Sequence, residues 1–138
     1  MYEVFEHTAD VGIRCRAATL DELFAEAGRG LFSVMVANLE AVRPVEPMRI
    51  ELAGSSGRLD DLLFDWLAEL LYRFDTRRHL FSRFEVRVED TRLQATAWGE
   101  PVDRARHEMD REVKAITYHG LKVERQPEGW LAEVVVDI

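Results

Sequence analysis

Leu59-Asp60-Asp61-Leu62-Leu63-Phe64-Asp65-Trp66-Leu67-Ala68-Glu69-Leu70-Leu71-Tyr72-Arg73-Phe74 is the stretch whose spacing decides the fold. Leu59, Leu62, Leu63, Trp66, Leu67, Leu70, Leu71 and Phe74 recur at i, i+3, i+4, i+7, i+8, i+11, i+12 and i+15, which is one face of a continuous helix. Asp60, Asp61, Asp65, Glu69 and Arg73 fall on the opposite face. Ser55, Ser56 and Gly57 are the N-cap candidates, and the two early aspartates suit the positive end of the helix dipole. An amphipathic helix of this length needs a partner surface, and the flanking sequence supplies one.

A second helix is predicted upstream, from the capping signature Thr19-x-x-Glu22 to about Val36. Its expected buried stripe is Leu20, Leu23, Phe24, Ala27, Leu31, Val34 and Met35, with Gly28 and Gly30 marking a kink or, more simply, a close approach of another backbone. The rest reads mostly as strands. Tyr2 to His7 alternates, Thr8-Ala9-Asp10-Val11-Gly12 reads as a polar turn, and Ile13 to Ala17 resumes the strand. Met48, Ile50 and Leu52 follow the punctuation of Pro44 and Pro47. Phe84, Val86 and Val88 pair with Leu93, Ala95 and Ala97 across a turn at Glu89 to Arg92. Residues 101–111 read as a loop with a short helix, and a last hairpin joins Leu121–Arg125 to Trp130–Val136 through Pro127-Glu128-Gly129. No regular βαβ alternation appears, so the expected fold is α+β: one domain over residues 1–138, a mostly antiparallel sheet with two main helices packed on it.

Composition narrows the function. A chain of 138 residues with no linker or repeat fits one domain. A net charge of -8 argues against strong direct binding to nucleic acid, whose phosphates call for a cationic surface. Cys15 is the only cysteine, so no intramolecular disulfide is expected, and with no signal segment or long apolar run the expected location is the cytoplasm, away from membranes.

Three acidic groups stand out. Asp10 lies between two predicted strands, Asp137 is penultimate, and Ile138 carries a terminal carboxylate directly after a strand. Brought together they would repel unless a hard divalent cation, Ca²⁺ or Mg²⁺, joined them; otherwise Asp10 bonds turn amides and Asp137 is solvated. A second cluster, Lys114-Ala115-Ile116-Thr117-Tyr118-His119, holds one of only two lysines in a chain with sixteen arginines. Lys114 can be a functional cation or a solvated one, and Tyr118 a proton donor or a packed ring. His7, His79, His107 and His119 lack zinc-protease spacing, and Gly54-Ser55-Ser56-Gly57 lacks the lysine of a phosphate-binding loop, which leaves a turn leading into the helix. Cys15, on a strand, reads as packing and not as a reactive thiol.

Four segments, in order, resemble the archease family: Phe5-Glu6-His7-Thr8-Ala9-Asp10-Val11-Gly12-Ile13, the helix Leu63 to Tyr72, Val113-Lys114-Ala115-Ile116-Thr117-Tyr118-His119, and the ending Val134-Val135-Val136-Asp137-Ile138. The resemblance covers nearly the whole chain. It implies strand-helix-strand-strand modules and a cytoplasmic protein cofactor of RtcB-type RNA ligases, which join RNA ends in tRNA splicing and RNA repair. Such a cofactor promotes guanylylation of the ligase and its repeated turnover without being an enzyme itself. By the same resemblance the metal ligands fall on Asp10, Asp137 and Ile138, with Ca²⁺ first among the candidates and Mg²⁺ next. The functional lysine falls on Lys114, and His7, Tyr118 and His119 are the further candidates for contact with the partner or a nucleotide. Two other functions compete with the activator: a metal-dependent hydrolase in which Asp10 and Asp137 hold a cation that activates water, and a chaperone-like modulator of an RNA-modifying enzyme such as a methyltransferase.

Overall fold

Both predicted helices form where the apolar spacing begins. The computed structural model describes residues 1–7 and 10–138, with Glu6 and His7 described by their backbone alone. Helix α1 spans Leu20–Met35, and the Oγ1 of Thr19 accepts the Glu22 N–H at 3.2 Å, the bond expected of that capping signature. Helix α2 spans Leu59–Arg77 and starts differently from the expectation. Its N-cap is Arg58, whose side chain makes no capping bond. Ser56 instead accepts the Arg58 N–H at 3.1 Å, which shapes the turn ahead of the helix. Asp60 has a tertiary task in addition to its place near the dipole: its Oδ1 accepts the Val123 N–H at 2.9 Å and so fastens the last hairpin to α2. Arg78 ends α2 in the left-handed region at φ 50, its N–H bonded to the Phe74 carbonyl.

The strands are β1 (Tyr2–His7), β2 (Asp10–Ala17), β3 (Glu46–Leu52), β4 (His79–Glu89), β5 (Arg92–Pro101), β6 (Ala115–Ile116), β7 (Lys122–Gln126) and β8 (Gly129–Asp137). The α+β reading holds, with the strands divided between two antiparallel sheets. One has the order β1-β2-β8-β6, with β7 also paired to β8; the other has the order β3-β5-β4. Within the second, β3, α2, β4 and β5 follow one another as strand, helix, strand, strand. The predicted polar turn from Thr8 to Gly12 is corrected at its end: Asp10, Val11 and Gly12 are strand residues, paired on both sides by β1 and β8, while Thr8 and Ala9 lie outside the described residues. Local turn propensity yields there to ladder pairing that no local pattern encodes.

The helices lie between the sheets. Gly28 and Gly30 of α1 show how close the layers come: a Cβ on Gly28 would sit 3.1 Å from the Phe84 ring in β4, and one on Gly30 would sit 2.7 Å from Ile13 Cγ2 in β2. Both glycines are sites of close packing, against side chains and not against another backbone as expected. Trp66 of α2 is fully buried, packs edge-on against Phe84, and donates its indole N–H to the Phe24 carbonyl of α1 at 2.9 Å. No helix among the described residues is long and apolar enough to cross a membrane.

The predicted short helix in 101–111 does not form. A buried carboxylate organises the segment instead. Glu100 accepts the Arg43 N–H at 2.8 Å and Arg106 Nη2 at 2.6 Å, and meets His107 Nε2 at 2.8 Å. His107 Nδ1 accepts the Asp103 N–H, which leaves the ring proton on Nε2 to be donated to Glu100. Asn38 closes the other side, receiving the Glu108 N–H and donating to the Arg106 carbonyl. Side chains that bind backbone in this way compete with helical bonding and hold the chain irregular. Burial alone would push the Glu100 carboxyl up, but its bonds to Arg106, the Arg43 amide and His107 outweigh burial and hold it at about 2.

Two predictions follow from the packing. Trp66→Ala should cost about 3–5 kcal/mol, the range for deleting a buried aromatic, whereas Trp66→Phe should cost less; chemical denaturation of both variants checks this. For Glu100, the folded value lies below the ordinary 4.5, so its stabilisation is complete above pH 4.5 and is lost as pH falls toward about 2. Glu100→Gln should therefore melt well below the parent protein at neutral pH, and the gap should close across that window; a gap independent of pH would remove the ionised carboxylate from the account.

Candidate functional site

Asp10 opens β2 and Asp137 closes β8, and the ladder sets them directly opposite each other. Opposed residues in an antiparallel pair hold their Cβ atoms about 4.5–5.5 Å apart on one face of the sheet, so the two carboxylates share a location. The next pair inward, Val11 and Val136, points the other way and is fully buried. Asp10 and Asp137 thus share the outer face with Gly12, Val135, Arg14 and Glu133. Asp10 is half-buried and Asp137 exposed, while Ile138 packs partly against the core beside them. The placement of Asp10 at the start of a strand replaces the turn position expected for it.

Lys114 arrives from the other side of β8. Ala115 pairs with Asp137, and the Lys114 N–H donates to the Asp137 carbonyl at 2.8 Å, which leaves the lysine exposed at the same sheet end. The chain is held there by Thr117, whose N–H and hydroxyl both donate to the Val135 carbonyl, at 3.0 and 2.9 Å, and whose Oγ1 also accepts the His119 N–H. Tyr118 and His119 follow as exposed residues. His7 stands opposite Asp10 in the β1–β2 ladder, so its backbone completes the cluster; its side chain lies outside the described residues. The pairing therefore gathers Asp10, Asp137, Ile138, Lys114 and His7 at one end of a sheet, with Tyr118 and His119 in the adjoining loop.

The neighbouring outer face is closed by an aromatic lid. A Cβ on Gly12 would lie 2.1 Å from Phe5 Cζ, so glycine is what lets the Phe5 ring lie on β2. Arg14 covers that ring, its guanidinium 4.6 Å from the centroid, and is held by Glu133 at 2.6 Å. Cys15 faces the core, and burial pushes its thiol up to about 12, which keeps it protonated and inert at neutral pH.

Two contributors were not singled out by sequence reasoning. Thr117 is the anchor of the Lys114 segment, and nothing in its sequence context distinguishes it from any strand threonine. Phe64 stacks on Tyr118 with centroids 4.0 Å apart and planes at 9°. Its signal was available: it is an aromatic residue on α2 that falls outside the buried spacing.

Chemically, facing carboxylates offer hard oxygen ligands with a penalty for standing unneutralised. Among the described residues no three His, Cys, Asp or Glu side chains gather as a ligand set. A cation here would therefore take two side-chain carboxylates and complete its shell with chain-end, backbone or water oxygens. That donor set fits Ca²⁺ or Mg²⁺ and is unsuited to a structural zinc ion.

The sequence profile of the archease protein family matches residues 2–138. Protein archease of Methanopyrus kandleri is 44% identical over 141 residues, covering 99% of each chain. That of Pyrococcus abyssi is 42% identical over 142 residues, covering 99% of this chain and 98% of its own. The solution structure of protein 1598 of Methanobacterium thermoautotrophicum superimposes with a TM-score of 0.86 at 35% identity, covering 99% of this chain and 98% of that one. A Thermotoga maritima crystal structure, described as an archease and possible chaperone, shares the fold with a TM-score of 0.68 at 24% identity, covering 100% of this chain and 98% of its own. A match that runs from the first strand to the last residue leaves one conclusion: the chain belongs to the archease family.

Proposed function

We propose that this protein activates an RtcB-type RNA ligase in the cytoplasm, promoting its guanylylation and repeated turnover in tRNA splicing or RNA repair, and that it is not itself an enzyme. The observation that carries the reading is the opposition of Asp10 and Asp137 across the β2–β8 ladder, with Lys114 bonded through its amide to Asp137. Acidic oxygens and one exposed ammonium at the end of a rigid sheet form a compact charged tip that a partner's active-site cleft can receive. The side chains of Asp10 and Asp137, with the terminal carboxylate of Ile138, would hold a divalent cation, Ca²⁺ first and Mg²⁺ second. That ion would supply positive charge for phosphate oxygens, and Lys114 would orient a phosphate or an acidic group beside it. The net charge of -8 would steer the approach toward a cationic RNA-binding cleft, speeding encounter more than it tightens the complex. The protein itself would bind RNA weakly.

Lysine serves such a tip as a rotatable point charge, which arginine's planar fork does not reproduce. Lys114→Arg and Lys114→Ala should leave the melting temperature nearly unchanged, because the side chain is exposed, while lowering the rate of ligase guanylylation. Full stimulation by the alanine variant would remove Lys114 from the reading. Extending the chain by a few residues beyond Ile138 turns its carboxylate into an amide, and calorimetry should then show Ca²⁺ affinity weakened by roughly tenfold or more. Unchanged affinity would exclude the terminal ligand. Intrinsic hydrolytic turnover in the absence of ligase would favour the hydrolase instead.

A further inference from the structure

The outward side of α2 carries apolar surface that the core covers only in part: Phe64 and Ala68 are half-buried against it, and Tyr72 is exposed. The buried face of the helix is Leu62, Leu63, Trp66, Leu67, Leu70, Leu71 and Phe74. Phe64, Ala68 and Tyr72 lie at i, i+4 and i+8, run from the edge of that face to its solvent side, and form an oblique ridge about 12 Å long. Tyr72 is 62% exposed, and so is Tyr118, whose ring extends the ridge by lying flat on Phe64. At the other end Ala68 and Tyr72 border a shallow depression closed by Leu52 to Ser55. Two large aromatic rings held in a face-to-face stack are already ordered, so a partner would bury them at low entropic cost.

Carboxylates surround this ridge: Asp61, Asp65, Glu69 and Asp75 lie on the same side of the helix. Arg73 neutralises Glu69 at 2.8 Å, and Arg58 reaches only the edge of Asp61 at 4.0 Å. Burial and, to a lesser extent, the neighbouring Asp61 push the Asp65 carboxyl up. Such a surface repels nucleic acid, anionic lipid and a second copy of itself. It complements a protein surface that sets an apolar anchor among arginines and lysines.

We propose that the Phe64–Ala68–Tyr72 ridge of α2, extended by Tyr118 and rimmed by Asp61, Asp65 and Asp75, is a docking surface for a basic protein partner, separate in role from the acidic tip. With the ligase as that partner, the inference rests on the activator reading; the ridge then sets affinity and the tip sets the stimulated rate.

The test separates binding from stimulation, using an RtcB-type ligase as probe and Tyr72→Ala, Ala68→Arg and Asp65→Lys as variants. Asp65 and Tyr72 are exposed, so Tyr72→Ala and Asp65→Lys should melt near the parent, whereas half-buried Ala68 ties Ala68→Arg more closely to the fold. The expected result is a dissociation constant raised at least about tenfold, with maximal guanylylation unchanged at saturating protein. High salt should weaken the parent more than Asp65→Lys. If the parent binds and stimulates but the variants bind equally well, the docking surface is wrong and the activator reading stands. Binding without stimulation that the variants weaken would overturn the activator reading and leave the docking surface in place. Absence of binding by the parent would overturn both. Self-association of the parent that Tyr72→Ala abolishes would assign the ridge to a second copy and overturn the basic partner.

Discussion

The structure depends on α1 being packed from both sides at once. Its buried positions, from Leu23 and Phe24 through Ala25, Ala27, Gly28 and Gly30 to Val34 and Met35, run around most of the helix and not along one stripe. Gly28 meets Phe84 of the three-stranded sheet and Gly30 meets Ile13 and Tyr2 of the five-stranded sheet, so two glycines set the spacing of both layers. Each costs roughly 1 kcal/mol of helix propensity relative to alanine, and close packing of two sheets on one helix offsets that loss. Trp66 then locks α2 to α1 through the Phe24 carbonyl.

From that wedge the placement of the site follows. Strand β8 is held by β2 along one edge and by β7 and then β6 along the other, so its last residue is paired on both sides like its centre. Asp137 sits at that end, and the residues that join it come from the first strand pair and from the segment after 113. A cation bound there by few carboxylates would gain from oxygens that the strand pairing already places.

Charge is distributed with the same division of labour. On the outer face of the five-stranded sheet Arg14 and Arg16 are tied to Glu3 and Glu133, which neutralises that surface locally. Inside, Glu100 is tied to Arg106 and His107 and serves the fold. Neither group of pairs leaves charge available to a partner. Other acids stand at the sheet end around Asp137 and along the outer side of α2, and also on α1 and in the turns, as at Asp21, Glu22, Glu89 and Asp90.

Periodicity was enough to read the two helices, both hairpins and the α+β class, because Leu62 to Phe74 and Phe84 to Val88 encode their burial in local spacing. Local pattern was not enough at the α2 start, where Ser56 caps the turn ahead of Arg58 and not the helix, nor in the 101–111 segment, which takes its form from buried Glu100 and distant Asn38 instead of a helix. Asp10, Asp137 and Lys114 could be singled out by residue type, chain position and family resemblance. Only the β1-β2-β8-β6 order places them beside one another. Side-chain spacing along a strand or helix is a property of the chain itself. The register between strands more than a hundred residues apart is a property of the packed core, and it was the register that brought Asp10 to Asp137.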